Sequence, residues 1–319
     1  MSSWLRRAGR LSLPQKLSDD RRTLSELEPV AEELLDRHLR LAKDWYPHEY
    51  APFGEGRDFN EEPWTPDQPR LDIPGQVAFE IGLVTEDNLP SYYRIAYDMF
   101  GRKGGAWLTW LNRWAAEEGR HAVVLRDYLV LSRNVDPIGL ERSRMRHLQS
   151  GYDRDTGALR GLAYVTFQEL ATRVGHANTG RYSHDPIADR ILTRIAADEN
   201  LHMVFYRDVV TAAFELDPSA TTCAVATEVM AFEMPGRNIP GFTRKAAIMA
   251  DAGIYDLRTH HDQVVWPLLR HWGLFERSGL DAEAERQRTE LSAFLEALDT
   301  RADRFQSRRE ERLMRSAPR

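Results

Sequence analysis

Ala115-Ala116-Glu117-Glu118-Gly119-Arg120-His121 and Ala196-Ala197-Asp198-Glu199-Asn200-Leu201-His202 repeat one chemical idea. Each holds a Glu-x-x-His, and each places a second acid directly before the Glu. On a helix, positions i and i+3 share a face, so one carboxylate and one imidazole can grip the same metal. With ten histidines in the chain, about one such spacing is expected by chance, so the surroundings must decide. Both motifs lie in long helical segments, and each is preceded by another helix with an acid in an awkward place.

Those acids are Glu86 and Glu169. Glu169 follows Leu162-Ala163-Tyr164-Val165-Thr166-Phe167-Gln168, a stretch that is apolar nearly all round and therefore reads as buried. A buried carboxylate is costly unless it is paired or binds metal. Glu86 follows Ile81-Gly82-Leu83-Val84-Thr85 in a similar setting, although Thr85-Glu86-Asp87 also fits the first turn of a helix. Glu86 to Glu118 and Glu169 to Glu199 each span about thirty residues, room for a helix, a turn and a returning helix. The chain thus reads as two helix pairs, each giving one lone Glu and one Glu-x-x-His. That is the ligand set of ferritin-like di-metal carboxylate bundles. The expected ligands are Glu86, Glu118, His121, Glu169, Glu199 and His202. Four carboxylates and two imidazoles suit iron, with manganese an alternative.

Outside these motifs helical periodicity continues. Helices are predicted at about 25–44, 76–101, 104–132, 137–149, 159–180, 186–215, 219–233, 240–252, 256–272 and 281–310. Asp136, Asp185 and Asp217 each precede Pro, an N-cap followed by a first-turn proline. Residues 47–75 read as a long loop. The fold class is all-α: a four-helix core with flanking helices. One domain is expected over 21–300, with a basic N-terminal arm at 1–20 and a charged tail at 301–319. The 319 residues, 42% of them hydrophobic, suffice for a large core. A net charge of −6 argues against nucleic acid. No run is apolar enough to cross a bilayer, and residues 1–16 lack the apolar stretch of a signal peptide. The single cysteine, Cys223, excludes an intramolecular disulfide framework and fits a reducing cytoplasm.

Together, residues 83–92, Trp114 to His121, Thr166 to Thr172 and Ile195 to His202 resemble the four ligand helices of the soluble acyl-ACP desaturases of plants and actinobacteria. The likeness runs from about residue 25 to about 275. One departure is Gly119, where many members carry Asn; it stands between ligands and bears on their support.

The resemblance implies a reaction: reduced di-iron and O2 remove two hydrogens from an acyl chain carried on acyl carrier protein, leaving a cis alkene. A ferredoxin-type donor would supply electrons, and the protein would be a cytoplasmic homodimer. The likeness further implies a role for Thr172 in O2 activation and proton delivery. It also implies an outer network of Trp45, Trp114, His176 and Asp198 that carries electrons, and an acyl tunnel lined by Ile95, Met99, Gly161 and Leu162. Carrier protein is acidic, so Arg37, Arg40 and Lys43 on the first helix are candidate docking residues. Three other readings stay open: a carrier-dependent oxygenase, a non-catalytic ferritin-like iron binder, and a structural helical protein with an accidental ligand pattern.

Overall fold

The computed structural model describes residues 15–151 and 156–316, and among these there is no strand. Twelve α-helices are present in the described chain: α1 (Gln15–Leu41), α2 (Ile73–Asp87), α3 (Leu89–Met99), α4 (Gly105–Leu131), α5 (Pro137–Ser150), α6 (Ala158–Ser183), α7 (Pro186–Leu216), α8 (Pro218–Met230), α9 (Phe242–Ala252), α10 (Leu257–His260), α11 (Trp266–His271) and α12 (Ala282–Ser316). Residues 1–14 of the expected arm and 317–319 of the expected tail lie outside the described residues.

The caps fall where Asp precedes Pro. Asp136 accepts from the Ile138 amide at 3.0 Å, Asp185 from the Ile187 amide at 2.8 Å and Asp217 from the Ala220 amide at 2.9 Å. Each satisfies an N–H that the first turn leaves unpaired. Asp72 does the same for Gly75 at 2.9 Å, so α2 begins at Ile73, inside the stretch read as loop.

The helix predicted over 76–101 is two helices. Asn88 leaves the helical conformation at φ −83°, ψ 15°, and Pro90 follows. Proline has no N–H to give the carbonyl four residues back and its ring crowds that carbonyl, so the chain bends just after Glu86. The first helix starts earlier and stops sooner than its periodicity indicated. Between α10 and α11, residues His261–Val265 form a π-turn.

Helices α2, α4, α6 and α7 form the core. α1 packs on α4 and α7, whereas α8 lies on α6, α9 on α2, and α12 on α8. Two apolar clusters fill the interior. Along α4 the chain passes from Trp107, Trp110 and Trp114 of one cluster, through Glu117, Glu118 and His121, to Val124, Leu125 and Tyr128 of the other. α7 makes the reverse passage, from Ile191, Leu192 and Ile195 through Asp198, Glu199 and His202 to Met203, Phe205 and Tyr206. The two helices therefore run antiparallel, and their polar turns meet in one layer between the two apolar cores.

Candidate metal centre

Each helix of the core brings one or two donors into that layer. Glu86, Glu118, His121 and Glu199 can present ligand atoms within 4.8 Å of one another, and so can Glu118, Glu169, Glu199 and His202. Glu118 and Glu199 belong to both groups, so the two groups share a pair of carboxylates. His121 Nδ1 lies 3.3 Å from Glu118, 3.3 Å from Glu199 and 3.8 Å from Glu86. His202 Nδ1 lies 3.0 Å from Glu118, 3.5 Å from Glu169 and 3.9 Å from Glu199. All six residues expected as ligands thus converge.

The donors fit a cation. His121 Nδ1, His202 Nδ1, Glu169 Oε2 and both oxygens of Glu199 are buried without a hydrogen-bond partner. Leaving so many polar atoms unpaired is costly unless something positive stands among them. The electrostatics agree. Burial, then the charges of Glu118 and Glu169, push the Glu199 carboxyl well above its usual range. Burial and Glu86 push Glu118 up as well. Burial alone would lower both imidazoles, but Glu118 and Asp198 raise His121, and Glu117 and Glu118 raise His202. The pocket is too negative for its own charges and draws in protons; a metal ion meets the same need.

Outer contacts fix the donors. His121 turns Nε2 toward Asp198 Oδ2 at 3.4 Å, and Asp198 accepts from Trp45 Nε1 at 2.7 Å and from Arg194. His202 turns Nε2 to Glu117 Oε2 at 2.9 Å. Glu117 also accepts from His38 Nε2 at 2.9 Å and from Arg113 at 2.6 Å. With a carboxylate behind each ring, Nε2 carries a proton and Nδ1 faces inward, where a metal ion would displace the second proton. Burial opposes the ionisation of Glu117, but the N–H groups of His202 and His38 outweigh it and hold its carboxyl below the usual range. His176 Nε2 lies 2.9 Å from Glu86, and Trp114 Nε1 donates to Glu169 at 3.1 Å. Every residue expected in the outer network therefore touches a donor or the acid behind one. The sequence reading missed Glu117 and His38; the acid directly before Glu118 was the available signal for Glu117.

Thr172 is placed differently. Its hydroxyl donates to the Gln168 carbonyl of its own helix at 3.0 Å and accepts from the Gln168 side chain.

Two cavities meet at Thr85 and Glu86. A narrow one of about 60 Å3 runs between α3, α4 and α6, lined by Ile95, Met99, Trp114 and Glu118 among others. Gly161 and Leu162 do not line it. A Cβ on Gly161 would stand 2.5 Å from Met99 Sδ, so Met99 already fills the space the glycine leaves. Leu162 is sealed in the core. A larger cavity of about 620 Å3 opens on the other side of Glu86, against Thr172, His176, Met230, Phe242, Phe294 and Phe305. Of the docking candidates, Arg37 is engaged by Asp208 at 2.5 Å, while Arg40 and Lys43 are exposed. No residue of α1 lines either cavity.

A four-helix core with paired Glu-x-x-His turns, shared carboxylates and an apolar cavity against them defines a ferritin-like carboxylate–imidazole protein able to hold metal. The chain belongs to the fatty acid desaturase family, whose model matches residues 19–318. DesA1 of Mycobacterium tuberculosis, whose name places it among the acyl-ACP desaturases, is 44% identical over 93% of this chain and 91% of its own length. The chloroplastic stearoyl-ACP 9-desaturase of Gossypium hirsutum is 31% identical over 92% of this chain and 78% of its own. The X-ray structure of DesA2 of Mycobacterium tuberculosis superposes with a TM-score of 0.68 at 30% identity, covering 84% of this chain and 99% of that one. Among the described residues no helix is long and apolar enough to cross a membrane.

Proposed function

We propose that this enzyme is an acyl-ACP desaturase that places a cis double bond in a carrier-bound acyl chain, using O2 and a reduced ferredoxin-type donor. Two iron ions would be held by Glu86, Glu118, His121, Glu169, Glu199 and His202, with Glu118 and Glu199 reaching both. Manganese suits the same donors. The overall change balances: the chain loses two hydrogens, the donor gives two electrons, two protons are taken up, and O2 leaves as two waters. The iron pair, when bound, supplies the reduction of O2 and the oxidising power that removes hydrogen from carbon.

The observation that carries this reading is the apolar cavity whose wall includes Glu86 and Glu118 of the centre itself. A store for iron has no use for an apolar slot at its ligands. The protein's own groups then have defined tasks. Asp198 and Glu117 keep the imidazole protons on Nε2; His176 and Trp114 orient Glu86 and Glu169. Trp45 joins Asp198 to the segment after α1, a short route for electrons from a docked donor. Thr172 lines the larger cavity near Glu86. Its proposed part in proton delivery asks the hydroxyl to turn from the Gln168 carbonyl toward that space. A cytoplasmic homodimer belongs to the same proposal, and sedimentation as a monomer at micromolar concentration would remove the dimer from it.

The test is mass spectrometry of acyl-ACPs of several lengths, incubated with iron-loaded protein, ferredoxin, its reductase and O2. Loss of two hydrogens from one chain length is the expected result. Gain of one oxygen atom would make the protein an oxygenase, and no change on any chain would overturn the acyl-ACP reading.

A further inference from the structure

We propose that a cleft beside the π-turn at His261–Val265 binds a small organic cation, a quaternary ammonium or protonated amine on a compact apolar body. The cleft holds about 320 Å3 and shares no lining residue with either cavity at the metal centre. Ligand sites begin at about that size, roughly 300 Å3. The local sequence shapes it. Pro267 has no N–H to continue the helix, and the Trp266 amide reaches back five residues to the His261 carbonyl. The widened turn brings the Trp266 indole to His261: its Nε1 donates to His261 Nε2 at 2.7 Å, and His261 Nδ1 donates to Asp262 at 2.6 Å. With Nε2 an acceptor, this imidazole brings no charge. Trp266 and Phe275, with ring centroids 5.8 Å apart, make one wall aromatic. The other wall is one face of α12, where Ser292, Leu295, Glu296 and Asp299 recur at helical spacing.

The charges here favour a cation. Arg258 alone serves three carboxylates, donating to Asp299 and Asp303 at 2.6 Å each and to Asp262 at 3.2 Å. Glu296 lines the cleft, is exposed, and has no ion-pair partner among the described residues. Two further arginines border the site without filling it. Arg288 reaches the Phe275 carbonyl at 3.4 Å but pairs with Glu285. Arg270 stands 5.8 Å from the centre of the Trp266 ring and is not among the lining residues. Aromatic faces attract cations through their negative quadrupole, and a carboxylate at the edge adds full charge to that attraction. A bare metal ion is a poorer match. Both nitrogens of His261 are engaged, and the acids of the cleft do not converge with it into a donor set. An anion would meet the carboxylates, and a neutral alkyl group would leave Glu296 unused.

Ligand-detected NMR on the full, iron-loaded chain tests this with two probes: choline, and its uncharged isostere in which a tert-butyl group replaces the trimethylammonium. Choline should bind about tenfold or more tighter than the isostere. Glu296→Gln, a change at an exposed position that the fold tolerates, should weaken choline about threefold or more. Phe275→Leu, which keeps apolar bulk but removes the ring face, should also weaken choline about threefold or more. Both variants should bind the isostere as the wild type does. Equal affinity for the two probes would overturn the proposal. So would choline binding that neither variant weakens, or no choline binding up to about 10 mM. None of these outcomes bears on the acyl-ACP reading, because the cleft shares no residue with the metal centre or its cavities.

Discussion

His121 and His202 occupy equivalent places in two copies of one motif, yet their surroundings differ. Behind His121 stands Asp198, held by the indole of Trp45 and by arginines that reach solvent: Arg194 bonds it, and Arg120 lies 3.7 Å away. Behind His202 stands Glu117, held by His38, a residue 4% exposed, under the ring of Trp110 at 4.9 Å. The acids are exchanged between motifs: the one before Glu118 supports the histidine of α7, and the one before Glu199 supports the histidine of α4. Each helix therefore orients the other's histidine. Both acids also hold an arginine that reaches solvent, Arg194 on Asp198 and Arg113 on Glu117. The first half is the more open in that its Trp45 belongs to the irregular segment after α1, whereas the second half's His38 stands within α1 under an aromatic ring.

The exchange is broken most severely at the shared carboxylates. Glu199→Ala or Glu118→Ala should reduce metal affinity on the order of 100-fold or more, since direct ligands outrank the outer partners whose loss costs about 10–100-fold. Glu86→Ala and Glu169→Ala should each spare one position. Metal content per chain after dialysis measures both, and equal losses from all four would show that the halves do not share ligands as the distances indicate.

Removing the acids behind the rings comes next. Glu117→Ala and Asp198→Ala should each weaken metal binding by about 10–100-fold. Stability should separate them. Glu117→Ala leaves the buried imidazoles of His38 and His202 without their acceptor and should cost about 3–5 kcal/mol. Asp198→Ala should cost less, because it strips one buried imidazole, His121, of its acceptor rather than two. Chemical denaturation of the metal-free variants reads the difference, and equal losses would mean that the enclosed half is no more dependent on its acid than the open one.

This exchange was half visible in the sequence. Asp198 was assigned an outer role and Glu117 was not, although both stand directly before a ligand Glu. His38 lies 79 residues from Glu117, and no local period links them. The six donors were legible because each pair obeys helical spacing and each lone Glu sits in a run too apolar for an unpaired charge. The break after Glu86 was also written in the chain, at Pro90. Gly161 misled for a physical reason: a missing side chain marks space only if no neighbour fills it, and Met99 does. The larger cavity was illegible, because its walls come from α2, α6, α8, α9, α10 and α12, segments that meet only in the folded chain.

pH should act on both halves of the metal-free protein together. Glu118, Glu199, His121 and His202 all hold protons more tightly folded than unfolded. The contribution of the two carboxyls is complete below their ordinary value of 4.5 and that of the two imidazoles below theirs of 6.5, and each is lost as pH rises from there through the raised folded value. Glu86 and Glu117 are shifted the other way and lose their contribution only as pH falls below the carboxylate range. The metal-free melting temperature should therefore fall by several degrees between about pH 5.5 and about pH 8.5. Metal loading should reverse the slope, since metal competes with protons for the same atoms. A flat profile in both forms would show that the cluster is not what binds the protons.

The smallest expected effect bears on why one half is open. Trp45→Phe keeps a ring beside Arg120 and Arg194 but removes the N–H donated to Asp198 at 2.7 Å. Loss of one hydrogen bond to a charged group should cost about 1–3 kcal/mol. Asp198 keeps Arg194, so metal content should hold. If the open half conducts electrons, reduction of the loaded centre by ferredoxin should slow while reduction by a small diffusing reagent such as dithionite does not. His38→Gln, the corresponding change on the enclosed side, should leave both rates alone and shift only stability. Slowing in both variants would mean that the enclosed half also lies on the electron path, and that burial rather than connectivity is what distinguishes the two histidines.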